Sequence, residues 1–486
     1  MNPERKGRIM FGWILLALIL VLVAVLLVRA ACFRPIPEED RRKEEIAFDT
    51  DTPIEALREL IRCKTVSRED PSLEDDAEFE KLIGLLPKLY PNVWETCPLT
   101  RFDGRGLLFH WKGSDGSGDP AVLMAHYDVV PVEEENWEKP PFDAVLEDGV
   151  IWGRGALDTK HSFNGIFSAA EHLIRSGFTP KNDIYFAFSG GEEVDSTGAE
   201  NIVSFFQKKG IVPAFVLDEG GAVVKDVFPG VKIPFGLIGV AEKGKLSVRL
   251  TYTGDGGHAA SPARHTPIGH LSRACTRLEN HPFPCHYTRP VLDFLDSLGR
   301  HAPFVYRLLF ANLRLFGGVL DLVCRKTGGA LNALVRTTVA FTMMEGSKAA
   351  NVIPSRAWMV ANVRLNPEDS VASALEYIRK TVNDPEIELT HWEDTEPSPV
   401  SRTDCEGWKI ISEAVTDTWN CRTAPYLMVQ CSDSRHYAPI SDRVFRFCAA
   451  DMTEEERESI HGNNEKIRVE TAQRAVEFFI RVMKRC

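Results

Sequence analysis

The stretch Ala121-Val122-Leu123-Met124-Ala125-His126-Tyr127-Asp128 decides the reading of this chain. Five apolar residues in a row, without polar alternation, fit a strand buried on both faces. A histidine and an aspartate follow at once. The same texture returns at 184–188, leading to Ser189-Gly190-Gly191-Glu192-Glu193, and at 215–217, leading to Asp218-Glu219. Residues 162–175 between them have helical spacing. Strands alternating with helices predict an α/β fold with a mostly parallel sheet covered on both faces.

In such sheets ligands gather at the carboxyl ends of the strands, and that is where the metal-capable side chains fall. His126 and Asp128 follow the first strand, and residues 151–155 lead to Asp158. His461-Gly462-Asn463-Asn464-Glu465 places another histidine ahead of a final amphipathic helix, expected over 465–484. Two histidines and several carboxylates, with no cysteine among them, suit Zn²⁺, Co²⁺ or Mn²⁺. Each residue alone has an ordinary alternative. His126 could be a hydrogen-bonded core histidine, Asp158 a helix N-cap, and Glu192 and Glu193 acids at a helix start. Their convergence at successive strand ends outweighs these alternatives, because adjacent buried carboxylates repel unless cations neutralise them.

Met124-Ala125-His126-Tyr127-Asp128, Trp137 with Pro140-Pro141-Phe142, Gly153-Arg154-Gly155-Ala156-Leu157-Asp158, Gly190-Gly191-Glu192-Glu193 and Gly256-Gly257-His258 together resemble an ordered motif set. It is that of the co-catalytic di-zinc metallopeptidases, the family of aminoacylase, succinyl-diaminopimelate desuccinylase and carboxypeptidase S. The likeness runs from about Thr52 to the C-terminus. Within the family it is strongest to the branch of carboxypeptidase S and the secreted N-fatty-acyl-amino-acid synthase/hydrolase.

The resemblance implies two Zn²⁺ ions, with Co²⁺ or Mn²⁺ as alternatives. It implies His126 and Asp218 as ligands of one metal, Glu193 and His461 as ligands of the other, and Asp158 as the bridging carboxylate. It also implies Asp128 as the aspartate that orients His126, Glu192 as general base, His258 as a lid histidine that helps hold the oxyanion, and Asn351 as a substrate contact. Arg364 and Arg435 are candidates to grip a substrate carboxylate, a task that suits a guanidinium fork. Ordinary surface ion pairs are the alternative for both. The sequence departs from the family pattern at Thr159, where relatives often carry an acid or Asn. It departs again at Val429-Gln430-Cys431-Ser432, which replaces a glycine-rich approach to Asp433 and points to an altered specificity pocket.

Around this centre the 486 residues divide into several segments. A catalytic domain is expected over 53–244 and again over 388–486. Between them, 245–387 forms an inserted α+β lid of the kind that dimerises in relatives, with hinges near Gly244 and Ile387. Residues 290–334 of the insertion are strongly apolar at helical spacing, broken by Arg307, Arg314 and Asp321. They form either a helical hairpin that buries one face against the lid or a hairpin with one face left open. An open face would serve as an acyl-chain groove or rest on a membrane. At the N-terminus, 11–28 is uncharged and long enough to cross a bilayer. It follows a ten-residue stretch with Arg5, Lys6 and Arg8, expected to be cytoplasmic, and precedes a charged stalk over 29–52. A transmembrane anchor with an extracytoplasmic catalytic domain is favoured. A signal peptide cleaved near Ala30, giving a secreted protein, is the alternative.

The net charge of −12 argues against nucleic acid as a partner, since phosphate binding needs a basic face. The 11 scattered cysteines, with no C-x-x-C pair, do not make a disulfide scaffold. The expected function is zinc-dependent hydrolysis of the amide bond of an N-acyl amino acid or short peptide next to a free carboxylate. A narrow dipeptidase of the same chemistry is one alternative. A catalytically inactive receptor-like ectodomain is the other, and the presence of Glu192 and of every ligand position speaks against it. A homodimer is left open.

Overall fold

The computed structural model describes residues 3–37, 43–227 and 230–486, with side chains from residue 10 onward. Residues 38–42 of the expected stalk lie outside the described residues. The strands are β1 (Leu99–Phe102), β2 (Gly106–Trp111), β3 (Ala121–His126), β4 (Val145–Glu147), β5 (Val150–Trp152), β6 (Ile184–Ser189), β7 (Phe215–Val224), β8 (Phe235–Glu242), β9 (Gly244–Thr253), β10 (Gly257–His258), β11 (Thr338–Glu345), β12 (Val352–Ile353), β13 (Arg356–Leu365), β14 (Ile387–Thr395), β15 (Arg422–Met428), β16 (Val444–Asp451) and β17 (Lys466–Arg468).

Eight strands form the main sheet in the order β1-β2-β6-β3-β7-β16-β8-β15. β6, β3, β7 and β16 run parallel at its centre, while β1, β2 and the β16–β8 pair add antiparallel contacts. The sheet is therefore mixed, with a parallel centre and a second parallel pair, β8–β15, at one edge. Alternation along β3 explains its all-apolar sequence. Leu123 and Ala125 join Phe163, Phe167 and Phe479 on one face, beneath helices Lys160–Arg175 and Val469–Met483. Val122 and Met124 join Ile202, Val203 and Phe206 on the other, beneath helix Thr197–Lys209. The last helix starts at Val469 rather than 465, because 466–468 pairs as β17 with β5.

A second sheet, β11-β13-β9-β14, has its own core with helices Pro267–Asn280 and Val371–Val382. Its boundaries correct the expected ones. β14 (387–395) is an antiparallel partner of β9, so the catalytic sheet does not resume at 388. The two crossings lie side by side, since a Cβ on Gly244 would stand 2.4 Å from the Thr395 carbonyl oxygen and 2.8 Å from Pro397 N. The chain thus crosses between the two sheets at Gly244 and at 395–397, not at Ile387. The apolar hairpin is also displaced from its expected seat. Helix Arg289–Gly299 and its neighbours bury Val291, Phe294, Leu295 and Leu298 with Leu237, Ala424 and Leu427 of β8 and β15. They cover the edge of the main sheet and lie apart from the core of the second one.

The N-terminal apolar segment is a helix, Pro3–Cys32, longer than the 11–28 span expected, with Met10–Cys32 long and apolar enough to cross a membrane.

Candidate metal centre

The ends of β3 and β6, a bulge within β7 and two loops build the site. β3 ends on His126, whose Nδ1 lies 3.0 Å from the Asp128 carbonyl oxygen and 3.3 Å from Asp128 Oδ1. This leaves Nε2 facing inward, 3.0 Å from Asp158 Oδ1 and 3.6 Å from Glu219 Oε1. Asp128 itself accepts the Ser67 hydroxyl at 2.7 Å and the backbone N–H groups of Glu192 and Glu193 at 3.3 and 3.2 Å. One buried carboxylate thereby positions a histidine and the turn that carries both glutamates. On the far side, His461 Nε2 lies 3.0 Å from Asp158 Oδ2 and 3.2 Å from Glu193 Oε2.

Asp158 therefore stands between the two histidines with one oxygen toward each. It does not cap the following helix, whose N-cap is Thr159, without a side-chain cap bond. The Asp158–Thr159 peptide is cis, and the Thr159 hydroxyl donates to the His126 carbonyl at 3.3 Å. Two groups result, His126–Asp158–Glu219 and Asp158–Glu193–His461. In each, one candidate ligand atom per residue lies within 4.8 Å of the others.

Asp218 differs from expectation. Its carboxylate is buried and accepts the Ser434 N–H at 2.9 Å, and Glu219 takes the place beside His126. The register explains the exchange. Asp218 pairs with Arg446 and Gly221 with Phe447, so Glu219 and Gly220 are extra residues in β7, a bulge that re-aims the side chain there. Gly221 permits the close approach to β8, where a Cβ would meet the Leu237 carbonyl at 1.8 Å.

Electrostatics match a cation site. Burial pushes the Glu192, Glu193 and Glu219 carboxyls above their usual range, and the charge of Glu219 adds to the rise at Glu192. Burial acts the same way on Asp158, but hydrogen bonds from His126 and His461 hold it well below the usual range. Hydrogen bonds to Asp158 and Glu193 lift His461 to about 10. Glu193 Oε1 is buried without a hydrogen-bond partner. Clustered carboxylates, inward imidazole nitrogens and an orphaned acceptor fit two borderline divalent ions.

Glu192, Glu193, Asp158, Glu219 and His461 line one cleft of about 430 Å³. Gln430 and Cys431, from the segment that departs from the family pattern, line it too. Arg364 Nη1 lies 3.9 Å from Cys431 Sγ. Arg435 donates from Nη2 to Ser196 Oγ at 3.3 Å, and its charge bears on both Cys431 and Glu192. The two arginines thus approach the same wall, although neither is among the cleft's lining residues. His258 and Asn351 stand together elsewhere. β10 pairs with β12 so that His258 faces Val352, the Ala259 N–H donates to the Asn351 carbonyl at 3.0 Å, and His258 is exposed. Neither residue lines the cleft.

Sequence reading missed Glu465. Fully buried, it accepts Arg154 Nη1 and the N–H of Gly155 on Oε2, at 2.7 and 3.0 Å, and the N–H groups of Leu157 and Asp158 on Oε1. Its proximity to His461 was the only signal. The Trp137 and Pro140-Pro141 motif converges on the same loop: Arg154 lies over the Trp137 ring, its N–H donates to Pro141, and the Glu138 N–H donates to Asn464.

The family description Peptidase family M20/M25/M40 matches residues 122–485. The chain is 33% identical to the probable carboxypeptidase S-like 2 of Dictyostelium discoideum, over 90% of this chain and 86% of that one. It is likewise 33% identical to the N-fatty-acyl-amino acid synthase/hydrolase of Homo sapiens, over 92% and 89%. Among solved structures, the M20 family metallo-carboxypeptidase Sso-CP2 from Sulfolobus solfataricus superposes with a TM-score of 0.65 at 16% identity, covering 89% of this chain and 98% of that one. Human carnosine dipeptidase 1 gives 0.64 at 14%, covering 90% and 96%.

Proposed function

Because this chain belongs to peptidase family M20/M25/M40, whose members here are metallopeptidases and amidohydrolases, we propose that it hydrolyses the amide bond of N-acyl amino acids. The observation that carries this reading is Asp158 set between His126 and His461, with Glu192 in the same cleft. His126, Glu219 and Asp158 would hold one Zn²⁺, and Asp158, Glu193 and His461 the other, with Co²⁺ or Mn²⁺ as substitutes. Bound there, the pair would activate a water and polarise the scissile carbonyl.

The chain's own groups do the rest. Glu192, half-buried and raised in pKa, takes the proton of the attacking water and delivers it to the leaving amine. Arg364 and Arg435, at the Cys431 wall, hold the free carboxylate. His258 and Asn351 reach substrate when the inserted unit, acting as a lid, swings about Gly244 and 395–397, or from a second copy. The name of the Homo sapiens relative pairs an acyl group with an amino acid. The cleft walls here are apolar at Val224, Leu237, Tyr426, Met428, Met452 and Ile460. They suit an acyl group better than the free ammonium of a dipeptide. A hydrolysis screen of N-acyl amino acids and dipeptides, with and without added Zn²⁺, tests the reading. Zinc-dependent cleavage of the acyl series is expected, and cleavage of dipeptides alone would overturn it.

The helix Pro3–Cys32 reads as a retained anchor with the catalytic part outside the cytoplasm. Its last turns contact the folded part. Arg29 Nη2 donates to the Ala311 carbonyl at 2.7 Å, Asn312 Nδ2 to the Leu26 carbonyl at 3.3 Å, and the Arg300 guanidinium lies 4.7 Å over the Phe33 ring. The nearby helix Leu313–Thr327 exposes Leu315, Val319, Leu322 and Val323, an apolar row suited to the surface of the same bilayer.

A further inference from the structure

Beside the metal-lined cleft lies a second cavity of about 590 Å³, between the edge of the main sheet and the helical insertion. The two share Val224, Leu237, Tyr426, Met452 and Arg457 as walls, so they adjoin along a common border. Away from that border the second cavity is bounded by Phe294, Ala330, Leu331 and Leu334. Phe294, Leu331 and Leu334 belong to the apolar cluster that buries Leu237 and Leu427, and Ala330 precedes Leu331 at the rim. Charged groups, including Lys225, Asp226, Glu454 and Arg468, complete its lining. Apolar walls with a few polar groups, at a volume within the range of small-molecule pockets, describe a ligand subsite.

We propose that this cavity is the acyl-chain subsite. The scissile carbonyl sits at the metal centre, the amino-acid carboxylate lies toward the Cys431 wall, and the alkyl chain passes Tyr426 and Met452 into the space under Phe294 and Leu331. This rests on the reading of the enzyme as an N-acyl-amino-acid hydrolase and names the occupant as an unbranched, medium to long alkyl chain. Arg457 stands at the border, exposed, with no side-chain hydrogen bond or ion pair among the described residues, so its apolar stem can fold along the chain while its head stays wet. The helical insertion then has a function beyond covering a sheet edge, since it supplies the outer wall of the specificity pocket.

The test is a chain-length series of N-acyl amino acids, from acetyl to palmitoyl, on the full chain and on Ala330→Trp and Leu331→Asp. Ala330 is exposed and Leu331 half-buried, so both variants alter the cavity with little demand on the core. In the unsubstituted protein KM falls by about three- to fourfold per added methylene until the cavity is filled. Both variants keep kcat/KM for the acetyl substrate and lose at least tenfold for the long ones. Long-chain kcat/KM unchanged in both variants, or a loss equal across all lengths, would overturn the subsite while leaving the hydrolase reading intact. Failure to cleave any member of the series would contradict the hydrolase reading itself and the subsite with it.

Discussion

Glu465 holds the loop that presents Asp158, with its Oε1 accepting the Asp158 N–H at 3.1 Å and the Leu157 N–H at 2.7 Å. Its other oxygen is bound to Arg154, and Arg154 Nη2 donates to the Gly462 carbonyl at 2.7 Å, next to His461. One buried ion pair thus ties the Asp158 loop to the loop that carries His461.

Glu465→Ala is therefore expected to weaken metal binding by about 10- to 100-fold, as loss of a group that orients a ligand does. Competition with a metal-sensitive dye measures it. Unchanged affinity in a folded variant would show that the Asp158 loop holds itself.

Glu219→Ala is expected to lose one of two bound metals. Asp218→Asn, whose side chain can still accept the Ser434 N–H, is expected to retain both. Metal content by mass spectrometry decides. Loss of a metal in Asp218→Asn but not in Glu219→Ala would restore the assignment expected from the sequence.

Lys243 sits between β8 and β9, where the chain crosses into the second sheet, donating to the Ala333 and Arg336 carbonyls at 2.9 and 2.8 Å. Burial, with the charge of Arg364 adding, pushes it down to about 7. An unfolded lysine titrates near 10.4. Across that window the unfolded chain keeps a proton that the folded chain has released, so this group's contribution to stability rises with pH. Thermal melting of the native sequence should therefore gain on Lys243→Met between pH 7 and 9, by up to about 1.4 kcal/mol per pH unit. Parallel pH profiles for the two proteins would contradict the assignment.

The mature protein is expected to keep residues before Phe11 and to stay with membranes after an alkaline carbonate wash. A mature N-terminus beyond Ala30, recovered in the medium, would show that the apolar helix is a cleaved leader.

Much of this was legible because strand ends carry the chemistry. The apolar run before His126 and the paired glutamates after β6 announce both the sheet and its site. That Glu219 rather than Asp218 stands beside His126 was not legible, since it follows from a two-residue bulge in β7 that adjacent carboxylates cannot reveal. Glu465 looked like the first residue of a helix, and only the pairing of β17 with β5 shows that it turns inward. The seat of residues 289–299 was hidden for a similar reason. Helical spacing shows that a face is apolar, and tertiary structure alone chose β15 over the second sheet as its partner.

A two-metal hydrolase with Glu192 as its base is tested most directly by pairing metal content with turnover in Glu192→Gln. Two equivalents of metal are expected in both the native protein and the variant, with hydrolysis in the variant reduced by about 10²- to 10⁴-fold. A variant that holds two metals and cleaves N-acyl amino acids at the native rate would contradict the account.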